Sequence, residues 1–97
     1  MRKLVISDQA LDDLVAIGKY LMQRNSSAAT RVLKMIRKRI DSLAAHPFLG
    51  FERNDMVLGL RCLVVKQYLV FYQPTDTVVE IVRVRHSAQS QDELFPF

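Results

Sequence analysis

The side chains of this chain that can do acid–base or ionic chemistry fall late in the sequence: Arg61, Lys66, Tyr72, Arg83, Arg85 and His86. Cleaving RNA without a metal needs a general base, a general acid and a cation facing the charge that develops on the phosphorane. His86, Tyr72 and the arginines supply those residue types. The same guanidinium groups can hold phosphates or carboxylates through paired hydrogen bonds, with no reaction at all. A third use is structural: Arg61 and Arg83 pair with Glu80 or cap backbone carbonyls, and His86 merely ends a strand. Residue types alone leave all three open. Other chemistries are excluded more firmly. His46 and His86 are far apart with only Cys62 between them, so no metal-ligand spacing exists. The three glycines are isolated, so there is no loop to cradle phosphate. His86 and Ser87 are neighbours on a strand-like segment and point to opposite faces, which argues against a nucleophile–base pair. The expectation from these absences is no metal, no cofactor and no nucleophilic catalysis.

These side chains must be positioned by a small fold. Lys3 to Ile6 reads as a short strand, and Ser7 then offers a helix N-cap. Leu11, Leu14, Ile17 and Leu21 recur at helical steps to about Arg24. After the break Asn25-Ser26-Ser27, a second amphipathic helix carries Val32, Ile36, Ile40 and Leu43 toward His46, where Pro47 stops it. Residues 47–59 read as a loop. Leu60 to Val65, Tyr68 to Gln73 and Val78 to Arg85 are β-rich and joined by turn-length links. The order β-α-α-β-β-β predicts an α+β domain, a helix hairpin packed on an antiparallel sheet that includes the first strand. Leu14, Ile17, Leu21, Val32, Ile36, Ile40, Leu43, Val70 and Val82 are its expected core. Strand alternation places Arg83 and Arg85 with Val79 and Ile81, and Val82, Val84 and His86 on the other face.

The chain of 97 residues is one expected domain, with a tail from about residue 87. Its longest apolar run, Tyr68 to Tyr72, is too short to span a bilayer, and the N-terminus lacks a signal-peptide core. Both features point to the cytoplasm and away from membranes. The net charge is +4, and it is unevenly spread. From Arg24 to Arg39 there are six cations and no carboxylate. Arg31, Lys34 and Lys38 lie on the helix face turned away from the apolar stripe. Such a face meets nucleic acid or an acidic protein, or is simply solvated.

Ala10, Asp13-Leu14, Ile17 and Tyr20 open an ordered pattern continued by Ile36 to Ile40, Leu43, Pro47-Phe48-Leu49-Gly50 and Arg53. It goes on through Arg61 and Tyr68 to Tyr72, and ends with Val79 to His86. Over residues 4–87 this set resembles the ParE branch of the RelE/ParE superfamily of bacterial toxins. The resemblance implies a toxin of a type II toxin–antitoxin system, of the kind that serves plasmid stabilisation, held inactive by a cognate ParD-like antitoxin. ParE-like toxins act on DNA gyrase and block replication. RelE-like relatives instead cleave messenger RNA. Those ribonucleases carry an arginine where Leu69 stands, and arginine and tyrosine where this chain has Gln89 and Phe95. A sister group carries a histidine where Gln91 stands. The resemblance therefore favours a non-enzymatic gyrase inhibitor, with an RNA-cleaving toxin or a non-toxic basic interaction module as alternatives.

Two departures from ParE sequences stand out: the added cation Arg85, and the absence of cations after His86. The expected antitoxin or target surface is the groove between hairpin and sheet. Arg31, Lys34 and Lys38 would line one rim, with Arg61, Arg83, Arg85 and His86 contributed by the sheet. The apolar tail residues Leu94, Phe95 and Phe97 either fold back on the sheet or join a partner contact, and the resemblance favours the same target or antitoxin contacts.

Overall fold

A computed structural model describes residues 1–89 of the chain. Ser7 starts the first helix, α1 (Asp8–Arg24), as its side chain predicts. Its Oγ accepts from the Ala10 N–H at 3.1 Å, while its own hydroxyl donates to the Val82 carbonyl at 2.9 Å. One residue thus caps the helix and ties it to the last strand. The expected three-residue break is narrower, because Asn25 serves both helices. Its N–H donates to the Leu21 carbonyl at 2.8 Å, and its Oδ1 accepts from the Ala28 N–H at 3.1 Å. Ser26 and Ser27 are already in α2 (Ser26–Ser42). That helix ends short of His46. The N–H groups of Leu43 and Ala44 turn back to the Ile40 and Asp41 carbonyls, so the chain reaches Pro47 through turns.

Five strands form one sheet: β1 (Lys3–Ile6), β2 (Phe51–Glu52), β3 (Arg61–Val65), β4 (Tyr68–Pro74) and β5 (Val78–His86). Their spatial order is β1-β5-β4-β3-β2. The antiparallel meander β3-β4-β5 is as expected, and β2 adds a two-residue edge inside the segment read as a loop. β1 runs parallel to β5, so the sheet is mixed and not wholly antiparallel. The tether explains the direction: the Ser7 N–H donates to the Ile81 carbonyl, so β1 leaves alongside β5 in the same sense.

A β-bulge corrects the predicted faces of β5. Phe71 pairs with Arg83 and Tyr72 with Ile81, which leaves Val82 as an extra residue. Beyond it the alternation is reversed. Val79, Ile81 and Val84 all enter the core beneath the helices, whereas Val82 packs with Met56, Leu60, Cys62, Leu69 and Phe71 on the other face. The predicted sharing of a face by Val82 and Val84, and by Arg83 and Ile81, is therefore wrong. Ile36, Ile40, Leu43 and Val70 are fully buried as expected, and Leu14, Ile17 and Val32 pack half-buried against them. Leu21 is only half-buried. The largest buried side chains are Tyr72 and Phe71 of the central strand. No helix among the described residues is long and apolar enough to cross a membrane.

Candidate functional site

The cations predicted to act together are held in three different ways. Arg83 sits on β5 beyond the end of β1, where the strand edge is open. Asp13 of α1 closes that edge. Its carboxylate accepts from Arg83 Nε at 2.8 Å, Arg83 Nη2 at 3.0 Å and the Val84 N–H at 2.9 Å. These charge-assisted bonds raise the guanidinium's proton affinity above its ordinary value against the opposing effect of burial. Arg61 belongs to the other side of the sheet. Its Nε donates to the Gly50 carbonyl at 2.9 Å and its Nη2 to the Phe48 carbonyl at 3.2 Å, with Glu52 3.5 Å from Nη1. The carbonyl-capping role that sequence left open is thus the one Arg61 fills. Arg31, Lys34 and Lys38 are exposed along α2. β4 separates Arg61 from Arg83, so the sheet arginines do not converge on one rim.

Tyr72, a candidate proton donor by type, is fully buried, and its hydroxyl accepts from the Gly50 N–H at 2.8 Å. Gly50 is required there, because a Cβ would stand 2.5 Å from the Cys62 carbonyl oxygen. Tyr72 and His86 therefore do not share a site. His86 lies edge-on to Tyr68, with ring centroids 5.4 Å apart and planes at 87°. Its Nδ1 accepts from the Ala88 N–H at 3.0 Å, which leaves the proton of the neutral ring on Nε2. The Gln89 side chain accepts from the His86 N–H at 3.0 Å and closes this turn.

Two hollows flank α1. A cleft of about 490 Å³ between α1 and the β4–β5 end is lined by Asp13, Ile17, Tyr20, Tyr68, Val84, Arg85, His86 and Gln89. Burial, reinforced by the nearby Tyr20 hydroxyl, pushes the Tyr68 phenol above its ordinary range. The second hollow is an apolar groove of about 680 Å³ between the helices, floored by Gly18 and Leu33 and rimmed by Lys19 and Arg37. Leu11, Val15 and Met22 form an exposed second stripe along it. A Cβ on Gly18 would come within 3.1 Å of Leu33 Cδ1, a tight contact that the leucine would have to yield by a few tenths of an ångström. Neither hollow is lined by Arg31, Lys34 or Lys38.

Residues 4–91 match the family described as ParE toxin of type II toxin-antitoxin system, parDE. The chain belongs to the ParE toxin family. Among its relatives, Toxin RelE2 of Caulobacter vibrioides is 36% identical over 89 residues, covering 92% of this chain and 99% of that protein. Toxin RelE3 of the same organism is 30% identical over 93 residues, covering 92% and 98%. The solved chromosomal ParDE system of P. aeruginosa contains a chain with the same fold, at a TM-score of 0.76 and 21% identity, covering 89% of this toxin and 96% of that chain. YafQ from E. coli is a more distant likeness, at a TM-score of 0.55 and 19% identity, covering 99% and 100%.

Within this ParE-family toxin, sequence reasoning missed Asp13, Tyr20 and Tyr68 as companions of the β5 residues. Asp13 carried a usable signal: a carboxylate beside Leu14 on the sheet-facing side of a helix calls for a buried cation. Tyr20 carried none, because its neighbours in the cleft come from strands distant in sequence. Cys62 is buried, and burial raises its thiol from 9.0 to about 11, which makes it a packing residue and not a nucleophile. The tail residues Leu94, Phe95 and Phe97 lie outside the described residues.

Proposed function

We propose that this toxin acts by binding and not by chemistry: it inhibits DNA gyrase and so DNA replication in the cytoplasm, and a cognate ParD-like antitoxin neutralises it. One observation carries the reading: three of the reactive side chains of the sheet, Arg83, Arg61 and Tyr72, are engaged inside the fold. Asp13 holds Arg83, backbone carbonyls hold Arg61, and the Gly50 N–H meets the Tyr72 hydroxyl. An arginine that stabilises a phosphorane must direct its donors at the substrate, in place before charge develops. The family match over residues 4–91 supports the same reading. For the antitoxin, the chemistry of the hairpin fits an acidic amphipathic segment. Apolar groups would enter the groove beside Gly18, and carboxylates would meet Lys19, Arg37 and the outward cations Arg31, Lys34 and Lys38.

Another observation favours a second reading, a metal-independent endoribonuclease. Tyr20, Tyr68, Arg85 and His86 line one cleft, and they include base, acid and cation types. Purified protein tests the two directly. A gyrase inhibitor reduces supercoiling or accumulates cleaved DNA and leaves RNA intact. Site-specific RNA cleavage that survives purification and disappears in His86→Ala overturns the binding reading. Activity in neither assay, with antitoxin still bound, identifies a non-toxic interaction module.

A further inference from the structure

The end of the sheet around Phe48 lies outside the helix groove and the α1–β5 cleft, and its exposed ring is held by two arginines. Phe48 is 63% exposed, and the Arg2 and Arg61 guanidinium groups lie 5.5 Å and 5.3 Å from its ring centroid. Arg61 also holds the Phe48 carbonyl, and Arg2 is itself fixed by donating to the Thr75 carbonyl at 2.7 Å. Leu58, 85% exposed, is fixed through its carbonyl by the Gln73 side chain at 3.2 Å. Beside Phe48 lies a small pocket of about 160 Å³, lined by Phe48, Leu60 and Pro74 together with Glu52, Asn54 and Arg61. The Phe48 ring, held between two guanidinium groups, loses little freedom on binding, which is what an interface anchor needs.

At this end the carboxylates are more exposed than the cations that pair with them. Arg61 and Arg53 keep only 17% and 21% of their side chains exposed, whereas their partners Glu52 and Asp55 are each 67% exposed. Solvent therefore meets carboxylates and apolar groups, with Arg2 a partial offset stacked on Phe48. We propose that this end of the sheet is a docking surface for a protein that inserts an apolar side chain into the pocket and presents basic groups to Glu52 and Asp55. Nucleic acid is disfavoured, because its phosphates would face those carboxylates while Arg61's donors point inward. An acidic antitoxin is disfavoured on the same ground. In a toxin that must engage one partner for neutralisation and another for action, this is the target-facing surface. That assignment rests on the binding reading above.

The test is induction of the full chain in cells, with and without its antitoxin, for wild type, Phe48→Ala and Glu52→Lys. Both substitutions lie at exposed positions. Each variant should still co-purify with the antitoxin, while the dose needed for growth arrest rises about tenfold or more, as for loss of an interface anchor. A folded Phe48→Ala that arrests growth like wild type overturns the proposal and leaves the toxin reading standing. Loss of antitoxin capture together with toxicity makes this the antitoxin surface and also overturns it. If wild type itself does not arrest growth, the binding reading fails and takes the proposal with it. Should Phe48→Ala not fold, Glu52→Lys decides alone.

Discussion

The outward face of α2 and the Phe48–Gly59 segment are both exposed, but they are built on opposite principles. α2 carries Arg31, Lys34 and Lys38 on flexible side chains, and its ion pair Arg37–Asp41, at 3.1 Å, is open to solvent on both sides. Such pairs contribute little stability, and such cations steer association over distance. The Phe48–Gly59 segment is fixed by a network of short-range bonds. Arg53 binds Asp55 at 3.0 Å, the Asn54 side chain accepts from the Gly59 N–H at 2.8 Å, and Gly50 is pinned between Tyr72 and the Cys62 carbonyl. Gly59 itself takes φ +83°, a backbone conformation suited to glycine. One region is a long-range field on a regular helix. The other is a rigid shape made from an irregular loop. The proposed docking surfaces for antitoxin and target thus differ in how they are built, one by charge and one by shape.

The largest expected effect lies at the β5 edge, which supports neither surface directly and so calibrates both. Asp13→Ala leaves Arg83 and the Val84 N–H without their partner in a mostly covered site, and should cost about 3 kcal/mol in urea unfolding. A cost below that of an exposed pair would mean that water replaces the carboxylate easily. Gly50→Ala comes next. Its Cβ cannot fit against the Cys62 carbonyl, so the loop must shift, at roughly 1–3 kcal/mol. If the loop surface is as rigid as described, this variant should also lose toxicity while keeping antitoxin affinity, measured by calorimetry. The double variant Lys34→Glu, Lys38→Glu should do the reverse. Stability should stay within about 0.5 kcal/mol, while association with the antitoxin slows and loses its salt dependence. Equal effects of the loop and helix variants on both partners would erase the distinction. The smallest effect concerns Cys62. Folding favours its neutral thiol, so this contribution is intact below pH 9 and fades as pH rises toward about 11. Alkylation at pH 8 should be slow in the folded protein and fast in denaturant.

Much of this molecule is written locally. Ser7 as a cap, the apolar spacing of both helices, the cationic face of α2 and the three β-rich segments are short-range features, and each keeps its meaning wherever the chain is placed. Propensity, periodicity and capping act within a few residues, so sequence alone determined the α+β class and the order of all elements but the two-residue β2. The family pattern rests on the same ordered positions. Tertiary structure decided what depends on partners far along the chain. β1 could have run in either sense until Ser7 met Ile81 and Val82. The extra residue Val82 turned the second half of β5 over, because a bulge answers to the pairing of two strands and not to the alternation within one. The contacts of Asp13 with Arg83, and of Arg61 with the Gly50 and Phe48 carbonyls, depend on how the helices and the loop pack. An arginine's residue type states that it will seek an acceptor. Which acceptor lies within 3 Å, and whether any donor still faces outward, is a fact of packing.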